Sequence, residues 1–237
     1  MRNPKWHRDE IILALDLYFK LESGKVHAGN PDIIELSRII NLLPIHEVKP
    51  DEAKFRNPNG VSLKLSNFLA IDRPGKGMSS YSILDAQIFN EFKNDKQSLN
   101  KIALSIRQIT VDQNLNKEIH LINSDDDEES VPEGKVLYRL HKLRERNKNI
   151  VLKKKNDALN KFNKLQCEIC GFDFYSKYGE VGFGFIECHH ITPLSDLEPN
   201  TKTKPEDLAL VCSNCHRMLH RKSNLAFASL KNYLSRV

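Results

Sequence analysis

No apolar stretch in this chain of 237 residues approaches the length of a membrane span, and cysteine is absent outside Cys167 to Cys215. The first absence argues against a spanning helix. The second confines thiol chemistry to a short C-terminal segment. The opening MRNPKWHRDE runs straight into an amphipathic pattern with no basic-then-apolar leader, so export is not expected and a reducing cytoplasm is the natural setting. Internal repeats and low-complexity tracts are also missing. What is there is ample for folding: 40% of residues are hydrophobic and 28% charged, enough for one large or two ordinary domains.

The formal net charge of +5 is compatible with a polyanionic partner, but its distribution says more. Five consecutive acids run from Asp125 to Glu129. A basic block then carries Lys135, Arg139, Lys142, Arg144, Arg146, Lys148, Lys153, Lys154 and Lys155. The acidic, proline-interrupted stretch predicts a solvated linker over residues 116–133, between a helical domain at 1–115 and a second domain at 134–237.

Helical periodicity dominates the first domain. HRDEIILALDLYFKL, NPDIIELSRIINLL and NPNGVSLKLSNFLAI each carry an apolar stripe, the last expected to start after its Asn-Gly turn. YSILDAQIFNEF and SLNKIALSIRQI add two more helices. A plain helical bundle satisfies this pattern. A helix-turn-helix variant satisfies it too, with Ser62, Lys64, Ser66 and Asn67 on an outward face that could meet DNA. In the basic block, KVLYRLHKLRER and IVLKKKNDALNKF also fit helices, with Asn147 as a cap between them. Leu137, Leu140, Leu143, Val151, Ala158 and Phe162 are expected to face inward. Their basic faces are either ordinary solvated surface or a phosphate-binding surface.

Four of the five cysteines form two C-x-x-C pairs, Cys167/Cys170 and Cys212/Cys215. Two such turns from separated parts of a chain complete a closed tetrahedron around structural zinc. The rival, a redox C-x-x-C, needs a thioredoxin-like strand-to-helix context that the flanking residues do not supply. Cys188 is left over and is expected to be a buried thiol facing away from His189.

With thiolates filling the zinc, the histidines call for a second site. If residues 183–190 form a strand, His189 and His190 point to opposite faces and take different roles. If a helix opens at Cys215, His216 and His220 share one face. His189, His216 and His220 are then candidate ligands of a catalytic divalent ion (magnesium, manganese, cobalt or nickel), and His190 is a candidate base with a pKa near neutrality. The bland alternative is that some of these histidines only cap or pack.

The stretches FIECHHITPL and DLALVCSNCHRMLH, with RLHKLRER, CEICGFDF and YGEVGFGFIECHH, closely resemble the HNH (ββα-metal) endonucleases, in particular the branch called 5-methylcytosine-specific restriction enzyme A-like. The resemblance spans roughly residues 134–221. It implies a β-hairpin and helix around one divalent ion, and hydrolysis of double-stranded DNA. By position it makes His189 and His216 metal ligands, His190 the general base, and His220 an additional histidine one turn on. Asp207 stands where the family name has asparagine. Arg217, with Arg139, Arg144, Arg146, Lys153, Lys154 and Lys155, would contact phosphates. NPDIIELSRIINLLP and FRNPNGVSLKLSNF more loosely resemble a domain often fused to such nucleases, which implies DNA recognition, with Lys64 and Asn67 as candidate contacts.

The expectation is therefore a mainly α chain with a small α+β module: an N-terminal helix-turn-helix-like domain, a linker, and a C-terminal ββα-metal domain with a four-cysteine zinc site. Its expected activity is that of a restriction or defence endonuclease, sensitive to base modification and able to act as a homodimer. Two other readings stay open: a zinc-stapled DNA binder without catalysis, and a helical regulatory scaffold whose C-terminal module is only a fold clamp.

Overall fold

Asparagine followed by proline opens two of the helices, and the reason is local. Asn30 and Asn57 accept the N–H groups of Asp32 and Gly60 at 2.8 and 2.9 Å, while Pro31 and Pro58 occupy first-turn positions that need no donor. The computed structural model describes residues 2–22, 24–78, 80–121, 135–145, 147–192, 203–221 and 225–235. The chain divides into two compact units, Met1–Asn123 with Gly134–Leu137, and Ser124–Glu133 with Tyr138–Val237.

The N-terminal unit is helical throughout its described elements: α1 (Arg8–Lys20), α2 (Pro31–Leu42), α3 (Pro58–Asp72), α4 (Ile83–Phe92), α5 (Lys96–Val111) and α6 (Gln113–Leu121). Every residue of α1 from Asp9 to Leu17 is buried, so this helix is the axis of the unit. Around it pack Ile33, Leu36 and Ile40 of α2, Val61, Leu65 and Phe68 of α3, Ile88 and Phe89 of α4, and Leu99, Ala103 and Ile106 of α5.

Two buried ion pairs fix the arrangement. Arg56 donates to both carboxylate oxygens of Glu10 at 2.8 and 2.9 Å, and its guanidinium lies 4.5 Å from the Trp6 ring centre. Lys64 Nζ reaches both oxygens of Asp85 at 2.8 and 2.9 Å.

Several expectations change here. Helix α3 begins at Pro58, so Asn59-Gly60 lies inside its first turn rather than ahead of it, because Asn57 and Pro58 cap the helix first. Lys64 does not face outward. It is 6% exposed and belongs to the stripe Val61, Lys64, Leu65, Phe68, while Leu63 takes the exposed side. Asn67 is half-buried, 3.4 Å from the same Asp85 carboxylate. Residues 116–121, expected to open the linker, are helical within α6. Ile119 is buried there, and Asn116 Nδ2 donates to the Leu42 carbonyl at 3.0 Å. The remainder of the expected linker lies outside the described residues.

The second unit is built on a short antiparallel hairpin. Helix α7 (Lys135–Glu145) precedes α8 (Lys148–Phe162), whose N-terminus is capped by Asn147, as expected. After the short α9 (Phe174–Tyr178) come β1 (Glu187–His190), a 3-10 turn (Pro205–Asp207), β2 (Leu208–Val211), α10 (Ser213–Arg221) and α11 (Phe227–Leu234). Strand β1 pairs with β2 in the register Glu187 to Val211, Cys188 to Leu210, His189 to Ala209 and His190 to Leu208.

Facing partners share a side of the sheet. Ala209 and Val211 pack with Cys167, Cys212, Cys215, Leu219 and Leu230. Cys188, Leu208 and Leu210 pack on the opposite side with Leu165 and Ile186, against Ile150, Val151, Ala158 and Leu159 of α8.

The strand is shorter than expected. Gly184 at φ +73° and the bond from Phe185 N–H to the Gly182 carbonyl hold residues 183–185 in a turn, and Phe183 and Phe185 stay exposed. Gly182 itself is dictated by close approach, since a Cβ there would stand 2.1 Å from the Phe174 carbonyl oxygen. Phe162 is 58% exposed, not inward, because α8 ends one turn past the sheet it covers, whereas Leu140 is buried and Val151 and Ala158 are half-buried as expected. Leu143 is also half-buried, and the side chain of Leu137 lies outside those described.

Candidate metal centres and active site

The two cysteine turns are built alike. Cys170 N–H faces Cys167 Sγ and Cys215 N–H faces Cys212 Sγ, each at 3.5 Å. The first turn closes through Gly171 N–H to the Cys167 carbonyl at 2.8 Å, with Gly171 at φ +73°. Glu168 ties this turn to β2: its N–H donates to the Leu210 carbonyl at 2.8 Å, and its carboxylate accepts the Leu210 N–H at 2.9 Å.

Cys170 Sγ and Cys212 Sγ stand 3.7 Å apart. Two thiolates about 2.3 Å from one tetrahedral ion are separated by ~3.8 Å, so the spacing suits zinc. The electrostatics agree. Burial and the neighbouring Cys167 push the Cys215 thiol well up, and burial also raises Cys170. Backbone N–H groups hold Cys167 below its usual value despite its burial. Sulfurs gathered this closely suit a shared cation, and this four-cysteine cluster could hold zinc.

The second cluster is formed by His189 of β1, His216 and His220 of α10, and Glu145 at the end of α7. One donor atom from each lies within 4.8 Å of every other. His216 Nε2 and His220 Nε2 are 3.0 Å apart, and Glu145 stands 2.9 Å from His189 Nδ1, 3.2 Å from His216 Nε2 and 3.9 Å from His220 Nε2. Donors about 2.1 Å from a shared tetrahedral ion are ~3.4 Å apart, which this set brackets.

His216 Nδ1 is hydrogen-bonded to Glu187, two residues before His189 on the same face of β1, and Glu187 also accepts from Ser213. That contact aims Nε2 into the cluster, as a carboxylate behind a ligating histidine does. The hydrogen bond to His216 holds the Glu187 carboxyl low, with burial opposing. Burial pulls His216 down, but Glu145 and Glu187 outweigh it and lift the ring to about 9.

His190 faces the other side of the sheet, as strand alternation predicts. It is 2% exposed, with Nε2 3.2 Å from the Thr203 hydroxyl. Cys188 shares that side, and burial pushes its thiol up to about 11. Asp207 holds the turn before β2: its carboxylate accepts the Lys204 N–H at 2.8 Å, and its carbonyl accepts the Ile191 N–H at 2.9 Å.

The candidate phosphate contacts divide. Arg217 and Lys153 are exposed. Lys154 pairs with Glu168 at 3.3 Å, and Lys155 donates to the Gly184 carbonyl at 2.8 Å. Arg139 is buried, which makes it a structural side chain rather than a surface contact. Arg146 and the side chain of Arg144 lie outside the described residues.

Glu145 and Glu187 escaped the sequence reading. Glu187 was legible in principle, because its i−2 spacing from His189 puts both on one strand face. Glu145 was not, because it sits in RLHKLRER, where one acid among basic residues reads as a surface charge.

A four-thiol cluster and a histidine cluster, carried on the hairpin and helix, are two groups that could each hold a metal ion. The HNH endonuclease family model matches residues 167–222, which contain both cysteine pairs, the hairpin and α10. The match supports a nuclease or DNA-binding module in this part of the chain. No curated protein and no solved structure matches the chain. Among the described residues no helix is long and apolar enough to cross a membrane.

Proposed function

We propose that this protein is a metal-dependent DNA endonuclease that hydrolyses phosphodiester bonds at the histidine cluster, with the cysteine cluster as its structural zinc. One observation carries the reading: three imidazoles from a strand and a helix converge on a common point while four thiols converge on another. A scaffold needs only the second.

His189 and His216 would hold a divalent ion, with His220 as a third imidazole, and such an ion would supply charge stabilisation for the phosphorus centre and the departing 3′ oxygen. Glu187 fixes the ring of His216. His190 takes the proton of the attacking water, its ring steadied by Thr203. Asp207 keeps the strand-leading turn in register, and Arg217 and Lys153 offer sequence-blind contacts to neighbouring phosphates.

The likeness of FIECHHITPL and its neighbours to the 5-methylcytosine-specific branch supports a restriction or defence role on base-modified duplexes. In this reading the N-terminal helical unit aims the enzyme, and two copies acting together cut both strands in the cytoplasm.

Plasmid cleavage with magnesium, manganese, cobalt or nickel tests the proposal. His190→Ala should lose at least about 100-fold in rate, the typical contribution of a positioned base. If wild type and variant are equally inert on methylated, hydroxymethylated and bare DNA while still binding it, the protein is the zinc-stapled binder instead.

A further inference from the structure

Catalytic centres of this kind present three protein ligands and leave a position open, whereas four protein ligands close a centre. The imidazole cluster has a fourth donor already in place. Glu145 is 8% exposed, and its two oxygens reach different histidines: Oε1 stands 2.9 Å from His189, and Oε2 3.2 Å from His216. It comes from α7, an element separate from the strand and helix that carry the imidazoles, and it lies outside the residues matched by the family model.

We propose that Glu145 is the fourth ligand of the ion gripped by His189, His216 and His220, closing the centre until a phosphate oxygen displaces the carboxylate. The proposal rests on the reading of the histidines as an ion site and adds how that site is kept shut.

The chemistry favours exchange rather than permanent capture. Carboxylate and phosphate oxygens are both hard anionic donors, so they compete for one position on the same ion. The His216 ring is held independently of Glu145 through Glu187, and the pairing of β1 with β2 fixes the backbone that carries His189. Withdrawal of one carboxylate therefore opens a position while the elements that carry the imidazoles stay in place. In its resting state the nuclease is shielded from stray phosphate and water, and only a phosphate delivered at high local concentration, as on bound DNA, opens it.

Cobalt(II) reports ligand number through its visible absorption, so the test does not depend on cleavage. Full-length protein is first given one equivalent of zinc to fill the cysteines and then titrated with cobalt(II). Wild type should bind one cobalt with an intense four-coordinate band that millimolar inorganic phosphate leaves unchanged. Glu145→Ala and Glu145→Gln should bind cobalt at least tenfold more weakly, and phosphate should shift their band. Gln preserves the side-chain volume, so it guards against loss of fold, which a thermal melt checks. Wild-type affinity and band in both variants would overturn the proposal, as would a wild-type band equally sensitive to phosphate. If the wild type takes up no cobalt beyond the zinc-filled site, and His216→Ala behaves the same, the histidine centre itself is refuted.

Discussion

The two compact units solve the same problem of burying charge and polar chain in opposite ways. In the N-terminal unit a continuous apolar core surrounds α1, and the charges taken inside are matched in protein-only pairs, Glu10 with Arg56 and Lys64 with Asp85. In the C-terminal unit the sheet is a pair of four-residue strands, and the groups gathered at its heart are thiols and imidazoles. The first unit carries its counter-charges in its own side chains. The second gathers thiols and imidazoles into two clusters that could each hold a metal ion, with Glu145 and Glu187 set against the imidazoles.

The largest way to break this contrast is at the cysteines. Cys212→Ser, or prolonged exposure to a strong chelator, should abolish the cooperative transition of the C-terminal unit, since structural zinc contributes on the order of 10 kcal/mol in small modules. The transition of the N-terminal unit should persist, and differential scanning calorimetry with and without chelator would show one transition vanish.

A middle-sized effect is expected at Arg56. Arg56→Ala strips the guanidinium from the buried Glu10 carboxylate, leaving it only His46 and the His7 N–H, which should cost the N-terminal unit about 3–5 kcal/mol in urea denaturation at neutral pH.

The same pair sets a pH signature. Burial pushes Glu10 up, but its bonds to His46 and Arg56 more than offset this and hold the carboxyl below its ordinary 4.5. A depressed folded pKa stabilises above the unfolded value and loses that stabilisation as pH falls through the folded one. The N-terminal unit should therefore keep its Glu10 contribution at neutral pH and lose it in acid below about 4.5, as acid titration followed by circular dichroism would record.

The smallest effect belongs to Phe162. Exposed at the end of α8, it should tolerate Phe162→Ser within about 0.5 kcal/mol by chemical denaturation, and a larger loss would mean that it is covered in solution.

Local rules made much of this molecule readable. Asn-Pro starts, apolar stripes at helical spacing and the Asn147 cap located the helices, because each depends on neighbours within one turn. The C-x-x-C pairs announced a four-cysteine cluster, and strand alternation separates His189 from His190. Where local rules met close packing they misjudged. Lys64 read as an outward lysine, yet Asp85, far along the chain, draws it inside. The apolar run at residues 183–186 read as strand, yet a glycine turn delays the strand until Glu187.

The sequence by itself determined which residues could bind metal and on which local faces they stand, since spacing along a helix or strand fixes direction. Only tertiary structure decided that Glu145 joins the histidines, that Glu187 aims His216, and that Arg139 and Lys64 are interior. Those facts depend on which distant elements meet. A charged side chain carries no mark of its eventual partner, and whether it is solvated or spoken for is settled by packing alone.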